Sequence, residues 1–153
     1  MLAVLRVRGK VRVSPKHRKA LEVLMLHKVN HLVLVRGNDS NKKMVESAKD
    51  YVTFGEIDEP TLEMLLRKRG RTLENRRIDD EFLKHLKVGS LKALAKELID
   101  GKKSLKELGI KPVVRLNSPS KGYERGGIKQ GFAVGGALGY RAGDINSLIN
   151  RMA

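Results

Sequence analysis

The strip from Arg115 to Arg141 holds the residue types best suited to binding an anion. It carries seven glycines and two tyrosines among its cations. Glycine lets backbone N–H groups approach a phosphate closely, lysine and arginine neutralise it, and tyrosine can stack on an unpaired base. These side chains are candidate RNA contacts: Arg115, Lys121, Tyr123, Arg125, Lys129, Tyr140 and Arg141.

Ordering this strip without a partner should carry a large loss of conformational entropy. Glycine loses more backbone freedom on folding than any other residue, and the strip has few large apolar side chains to offset that loss. We therefore expect a partner outside the chain to order it. A mobile, solvated loop is the alternative that these residues leave open.

A second basic run extends from Arg6 to Lys19, at the end of a predicted strand and the start of a predicted helix. A helix N-terminus favours anions, and alternation would place the first cations on one face if the strand continues. A plain solvated face explains the run equally well. The candidate RNA contacts here are Arg6, Arg8, Lys10, Arg12, Lys16, His17 and Arg18.

A third basic run lies between Arg67 and Arg77, across a helix end and a loop. Cations near a helix C-terminus are favoured in any case, but this run holds more of them than capping requires. It adds the candidates Arg67, Arg69, Arg71, Arg76 and Arg77, and the second predicted helix adds Lys42 and Lys43.

Other chemistry finds little support in the residues. The chain has no cysteine and four scattered histidines, so neither a metal centre nor a catalytic residue is predicted. The acidic triplet 79–81 suits the start of a helix. No cofactor motif is present, since the glycines do not match a dinucleotide or Walker pattern. A small phosphate-handling enzyme that uses the glycines remains as a hypothesis from another class.

Composition indicates a polyanionic partner. There are 32 Lys and Arg against 17 Asp and Glu in 153 residues, a net charge of +15, and the cations are interleaved with apolar residues throughout. No apolar run approaches the roughly 20 residues that span a bilayer. The N-terminus is charged too early for a signal peptide, so we expect a cytoplasmic protein with no membrane partner and no small-molecule substrate.

The pattern of elements predicts an α+β protein built as one compact unit. Residues 1–58 read β-α-β-α-β, with both helices on one sheet face and the opposite face free. Residues 59–111 read as four short helical pieces that end at glycines. Residues 112–153 read as a strand near Val113–Leu116, the glycine-rich strip, and a last helix capped by Asp144.

Two stretches resemble the archaeal large-subunit ribosomal protein L-thirty family, which is related to the eukaryotic large-subunit protein L-seven. They are KALEVLMLHKVNHLVLV and KKMVESAKDYVTFGEI. GGALGYRAGDINSLINRM is similar to the C-terminal region of the longer members. The matching positions are Leu21, Leu24, Leu26, Lys28, His31, Val33, Met44, Val45, Ala48, Tyr51 and Val52, whereas Ala20 departs from the usual β-branched residue.

The resemblance implies a three-stranded antiparallel sheet in the order 3-1-2, loosely ferredoxin-like. It implies a structural role in the large ribosomal subunit, bound to its large rRNA and next to other ribosomal proteins, with 5S rRNA as a candidate second partner. It also implies RNA-facing Arg8, Lys10, Arg12, Lys16 and Arg18. An assembly or rRNA-processing factor of the same fold is the alternative function.

Overall fold

The computed structural model describes residues 1–86, 89–101 and 103–153, with elements that alternate between strands and helices over the first third of the chain. The strands are β1 (Leu2–Arg6), β2 (His31–Val35), β3 (Val52–Glu56), β4 (Val113–Arg115) and β5 (Gly139–Tyr140). The helices are α1 (Pro15–Val23), α2 (Asp39–Ser47), α3 (Glu59–Arg69), α4 (Asp80–His85), α5 (Leu91–Ile99) and α6 (Ile145–Met152).

The five strands form one mixed sheet in the order β4-β2-β1-β3-β5. β1 pairs antiparallel with β2 and with β3, so the predicted order of the first three strands is found at its centre. The prediction of a three-stranded antiparallel sheet is wrong, because β4 adds to β2 and β5 adds parallel to β3. The C-terminal third therefore completes both edges of the sheet.

Both faces of the sheet are covered. Successive side chains of a strand point to opposite faces, and Val4 packs in a cluster with Leu21 of α1 and Val45 of α2. Ala3 and Leu5 belong instead to a larger cluster that includes residues of α3, α5 and α6. The expected free face does not exist, because the extension after Asp58 buries its apolar stripes there.

One asparagine joins the last helix to the centre of the sheet. The Asn146 Nδ2 donates to the carbonyl oxygen of Glu56 at 3.0 Å, and its Oδ1 accepts from the backbone N–H of Asp58 at 3.0 Å. At Gly55 a Cβ would overlap the carbonyl oxygen of Ala142, so glycine is required for this close approach. These contacts fix where β5 and α6 lie relative to β3.

Most predicted element ends are confirmed to within a few residues. Ser14 is the N-cap of α1 with Pro15 at its first position, and Asp144 is the N-cap of α6. The N-cap of α2 is Asn38. The helix expected to reach Gly89 ends at His85, and residues 87–88 of that prediction lie outside the described residues, as does residue 102.

Candidate nucleic-acid interface

One end of the sheet collects loops from across the chain, and we call it the basic end. It is where β1 stops at Arg6 while β2 and β3 begin, because those two strands run antiparallel to β1. β4 also ends there, since Arg115 lies opposite His31. The connection that follows returns to the same place, with the backbone N–H of Leu116 donating to the Asn30 carbonyl oxygen at 3.0 Å.

Arg6 holds the basic end together from inside. Its guanidinium donates to the carbonyl oxygens of Arg8 at 2.8 Å, Gly9 at 2.9 Å and Leu26 at 2.6 Å. The residue is 3% exposed, and burial lowers its pKa. The structure therefore corrects the prediction that Arg6 contacts RNA from an exposed surface, because the residue is buried and three of its N–H groups bond to carbonyl oxygens of the protein.

The β1–α1 loop, residues 7–14, and the first turn of α1 present four exposed cations. They are Lys10, Arg12, Lys16 and Arg18, and none of them forms an ion pair with a described residue. The condition that the strand continues through Arg12 is not met, because β1 ends at Arg6 and Arg12 has a φ of 56° in a turn. The cations thus spread around a loop instead of lining one strand face.

Two further predicted contacts flank this loop in a more ordered state. Arg8 lies over the ring of Tyr51 at 5.1 Å and donates to the Asp50 carbonyl oxygen at 3.1 Å. His17 lies 2.6 Å from the Ser14 hydroxyl through its Nδ1, and its ring is 5.4 Å from that of Tyr51. Both are half-buried, so each has a packing role beside any contact with RNA.

The glycine strip, residues 115–141, is folded against the basic end. Ala137 and Leu138 are buried with Val7, which directly follows β1. Backbone hydrogen bonds cross the strip, including Gly126 N–H to Gly135 O at 2.9 Å and Ala137 N–H to Gly127 O at 3.1 Å. Contacts within the chain therefore hold this segment in place in this structure, and the expected outside partner is not required for its order.

Arg141 has an internal role, like Arg6. It is 2% exposed, and its guanidinium donates to the Thr53 hydroxyl at 3.1 Å and to the Glu124 carboxylate at 2.8 Å. Its Cζ also lies 4.4 Å from the centre of the Phe132 ring. The structure corrects the prediction of Arg141 as an RNA contact, because the side chain joins β3 to the glycine strip.

The two tyrosines that the sequence treats alike differ in position. The Tyr123 hydroxyl donates to Oδ1 of Asn30 at 2.5 Å, and burial raises the pKa of Tyr123. Tyr140 is 55% exposed at the edge strand, and its hydrogen bond to the Glu56 carboxylate raises its pKa. Only Tyr140 presents much of its ring to a base.

The remaining candidates are open to solvent to different degrees. Arg115, Lys121, Arg125 and Lys129 are exposed on or next to the strip, and Lys42 and Lys43 are exposed on α2. In the third run, Arg67, Arg76 and Arg77 are exposed while Arg69 and Arg71 are half-buried. The backbone of this third run forms hydrogen bonds to residues 109–111; for example, the backbone N–H of Lys111 donates to the Arg71 carbonyl oxygen at 2.8 Å. The third run therefore forms a basic surface beside that loop.

The structure also brings residues to the basic end that the sequence reading did not select. His27 and Lys28 are exposed in the connection before β2, and Val11 is 85% exposed between Lys10 and Arg12. The antiparallel pairing of β1 and β2 could have indicated His27 and Lys28 from the sequence. It requires the start of β2 to lie beside the end of β1.

The described residues contain no group of three or more His, Asp or Glu side chains placed to hold a metal ion. Within the same part of the chain, no helix is long and apolar enough to cross a bilayer. The site is therefore defined by exposed cations beside a folded, glycine-rich surface. A basic α+β protein with such a surface belongs, as a class, with proteins that bind nucleic-acid backbones.

Known proteins match this chain over almost its full length. The family described as Ribosomal protein L30p/L7e matches residues 2–52. The large ribosomal subunit protein uL30 of Methanococcus vannielii is 51% identical over 150 residues, which cover 98% of this chain and 97% of the relative. The proteins of the same name from Nanoarchaeum equitans and Thermofilum pendens are each 48% identical over 151 residues, with coverage of 96% or more on both sides.

These matches confirm the resemblance that the sequence carries. The chain belongs to the ribosomal protein L30p/L7e family. The family match ends at residue 52, whereas the archaeal relatives extend across the extension and the glycine strip as well.

Proposed function

We propose that this protein is a non-enzymatic constituent of the large ribosomal subunit, in the cytoplasm, which binds and stabilises ribosomal RNA. The observation that carries the proposal is the set of exposed cations at the basic end, without carboxylate partners among the described residues, in a chain 51% identical to an archaeal uL30. Unpaired surface cations release counterions from a phosphate backbone on binding, which drives association.

The finer assignments belong to this proposal too. Residues 1–58 would form a ferredoxin-like RNA-binding core, and the strip in residues 112–153 would add contacts through Arg115, Lys121, Arg125, Lys129 and Tyr140. His17, Lys42, Lys43, Arg69 and Arg71 stay in the proposed contact set. Large-subunit rRNA would be the main partner, with 5S rRNA and neighbouring ribosomal proteins at other surfaces.

Occupancy of mature particles tests the proposal most directly. Large subunits purified from the source cell and washed at high salt should contain one copy of this chain each. Finding the chain only on precursor particles would contradict the proposal, and would favour the assembly or processing factor.

Salt dependence tests the mode of binding. If roughly six to ten phosphates are neutralised, affinity for deproteinised large-subunit rRNA should fall by about 10³–10⁵ between 50 and 200 mM salt. A flat salt response would contradict binding dominated by phosphate contacts.

A further inference from the structure

A cavity of about 280 Å³ opens between the β1–α1 loop and α1. Its apolar wall is formed by Val13, Leu21 and Leu26, which are 7%, 2% and 0% exposed. Drug-sized ligands occupy pockets of roughly 300–1,000 Å³, so this cavity suits a flat group smaller than a whole nucleotide cofactor.

The cavity also holds a buried hydrogen-bond donor. Arg6 lines it at 3% exposure, and its three bonds to carbonyl oxygens use three of the five N–H groups that a guanidinium carries. Two N–H groups therefore remain for a ligand. Because this guanidinium is fixed by the loop and by Leu26, a ligand would meet it in one orientation.

Glu22 supplies an acceptor in the same cavity. It is an exposed residue of α1 that lines the opening, and it forms no ion pair with a described residue. A donor and an acceptor together match an edge that carries an acceptor beside an N–H group. Every RNA base presents such an edge: guanine and uracil have a carbonyl oxygen beside a ring N–H, and adenine and cytosine have an unprotonated ring nitrogen beside an amino group.

The rim of the cavity is cationic. Lys10 and Arg18 both line it and both are exposed. The first turn of α1, which lies beside them, contains no acidic residue. A base in the cavity would therefore have cations ready for the phosphates on either side of it, as expected for a ligand that is part of an RNA strand.

We propose that this cavity receives one unpaired base, turned out of the bound RNA. RNA is read chiefly where bases are unstacked and their edges are free, and turning out a base that is already unpaired costs least. The inference rests on the proposed function, since it assigns base recognition to the surface that binds the phosphates.

Base-edge probing of full-length protein with deproteinised large-subunit rRNA tests the proposal. Backbone cleavage by hydroxyl radicals locates the footprint, and reagents specific for the pairing edges of the four bases report base protection. The wild-type protein should protect one unpaired base inside the footprint. Glu22→Met should remove that protection and weaken binding roughly tenfold, the effect of losing one good base-edge contact.

The sign of the change separates this proposal from binding by phosphate alone. Glu22→Met removes a negative charge, so binding through phosphates alone would become equal or tighter. Glu22→Trp should plug the cavity and give the same loss, whereas Glu46→Met and Glu46→Trp on the exposed surface of α2 provide controls that should keep both affinity and protection. Circular dichroism of each variant verifies that the helices are intact.

Each outcome decides the proposal. Unchanged protection with equal or tighter binding of Glu22→Met overturns the base site and leaves RNA binding in place. Absence of any footprint with the wild-type protein overturns the proposed function itself, and the cavity proposal with it.

Discussion

The β1–α1 loop and the glycine strip have the same kind of composition, and the fold uses their charges in opposite ways. In the loop, Lys10 and Arg12 are exposed and form no ion pair with a described residue. In the strip, Arg141 is 2% exposed and bonded to Glu124 and Thr53. The loop leaves its cations exposed, while the strip buries one of its arginines as part of its own fold.

The difference shows that net charge and contact surface are separate properties. The chain carries +15, yet Arg6 and Arg141 contribute to that number from inside the protein. A buried guanidinium is costly unless its donors are satisfied, and here carbonyl, hydroxyl and carboxylate oxygens satisfy them. The positive charge that is open to a partner is therefore smaller than the composition suggests.

Removing the Arg141 guanidinium should have the largest effect. Arg141→Met breaks a buried pair, leaves the acceptors on Thr53 and Ala137 without this donor, and leaves Glu124 with its 3.5 Å ion pair to Arg151. The free energy of unfolding should fall by about 3 kcal/mol, measured by urea denaturation. Arg125→Met on the exposed surface of the strip should change it by less than about 0.5 kcal/mol. Equal small losses for the two variants would contradict the structural role of Arg141.

A matched pair of glycine substitutions should separate the two regions next. At Gly136 a Cβ would overlap the carbonyl oxygen of Gln130, whereas at Gly9 in the loop nothing lies within 4 Å. Gly136→Ala should therefore lower the melting temperature by several degrees, since overpacking costs about 1–3 kcal/mol, while Gly9→Ala should be nearly neutral. A neutral Gly136→Ala would mean that the strip is loose in the free protein.

Sequence reasoning recovered what depends on local pattern. The β-α-β-α-β order and the buried stripe of α6, including Leu148 and Met152, follow from hydrophobic periodicity. The strand β5 was not recovered, because it has two residues and its pairing with Thr53 is set by packing 86 positions away. A strand was predicted at β4, but nothing local placed it beside β2.

The sequence predicted which cations form the candidate site, but not where these side chains lie in the fold. Arg6 and Arg8 are two residues apart in one basic run. Arg6 is the last residue of β1, and its guanidinium is directed inward to the Leu26 carbonyl oxygen. The cavity beside Glu22 was not recovered, since it is formed by a loop, a helix and the connection after that helix. Such a space has no signature in a single stretch of sequence.

The exposed cations of the β1–α1 loop and of the first turn of α1 should make the largest contribution to the salt dependence of RNA binding. Changing Lys10, Arg12, Lys16 and Arg18 together to Gln should reduce the slope of log affinity against log salt by about three to four, near one per lost phosphate contact. Filter binding of deproteinised rRNA at several salt concentrations measures it. The matched control changes four exposed cations of the extension, Lys84, Lys92, Lys96 and Lys106, to Gln. A loss of slope equal to the control would contradict the special role of the loop.

The two tyrosines provide a smaller test of the same comparison. Tyr123→Phe removes the hydrogen bond to Asn30 and should cost about 1 kcal/mol of folding free energy. RNA affinity should stay the same, because that hydroxyl is bonded inside the protein. Tyr140→Phe loses only an exposed bond to Glu56 and should cost less than about 0.5 kcal/mol. The reverse order of the two losses, by urea denaturation, would contradict the inward assignment of Tyr123.

The smallest expected effect is a pH dependence of stability that originates at the basic end. Burial of His31, followed by the positive charge of Arg115, lowers the pKa of His31 below its ordinary value of about 6.5. His27, Lys28 and Arg6 add to the repulsion.

Because the unfolded chain binds this proton more tightly, stability due to His31 is present above about pH 6.5 and falls as the pH drops through that value. Urea denaturation between pH 7.5 and 5.5 should show a decline for the wild-type protein and a flatter profile for His31→Gln. His85 is exposed on α4, so His85→Gln should retain the decline. A His31→Gln profile as steep as the wild-type one would mean that the cations gathered at this end do not act on His31, and that its burial has no electrostatic cost.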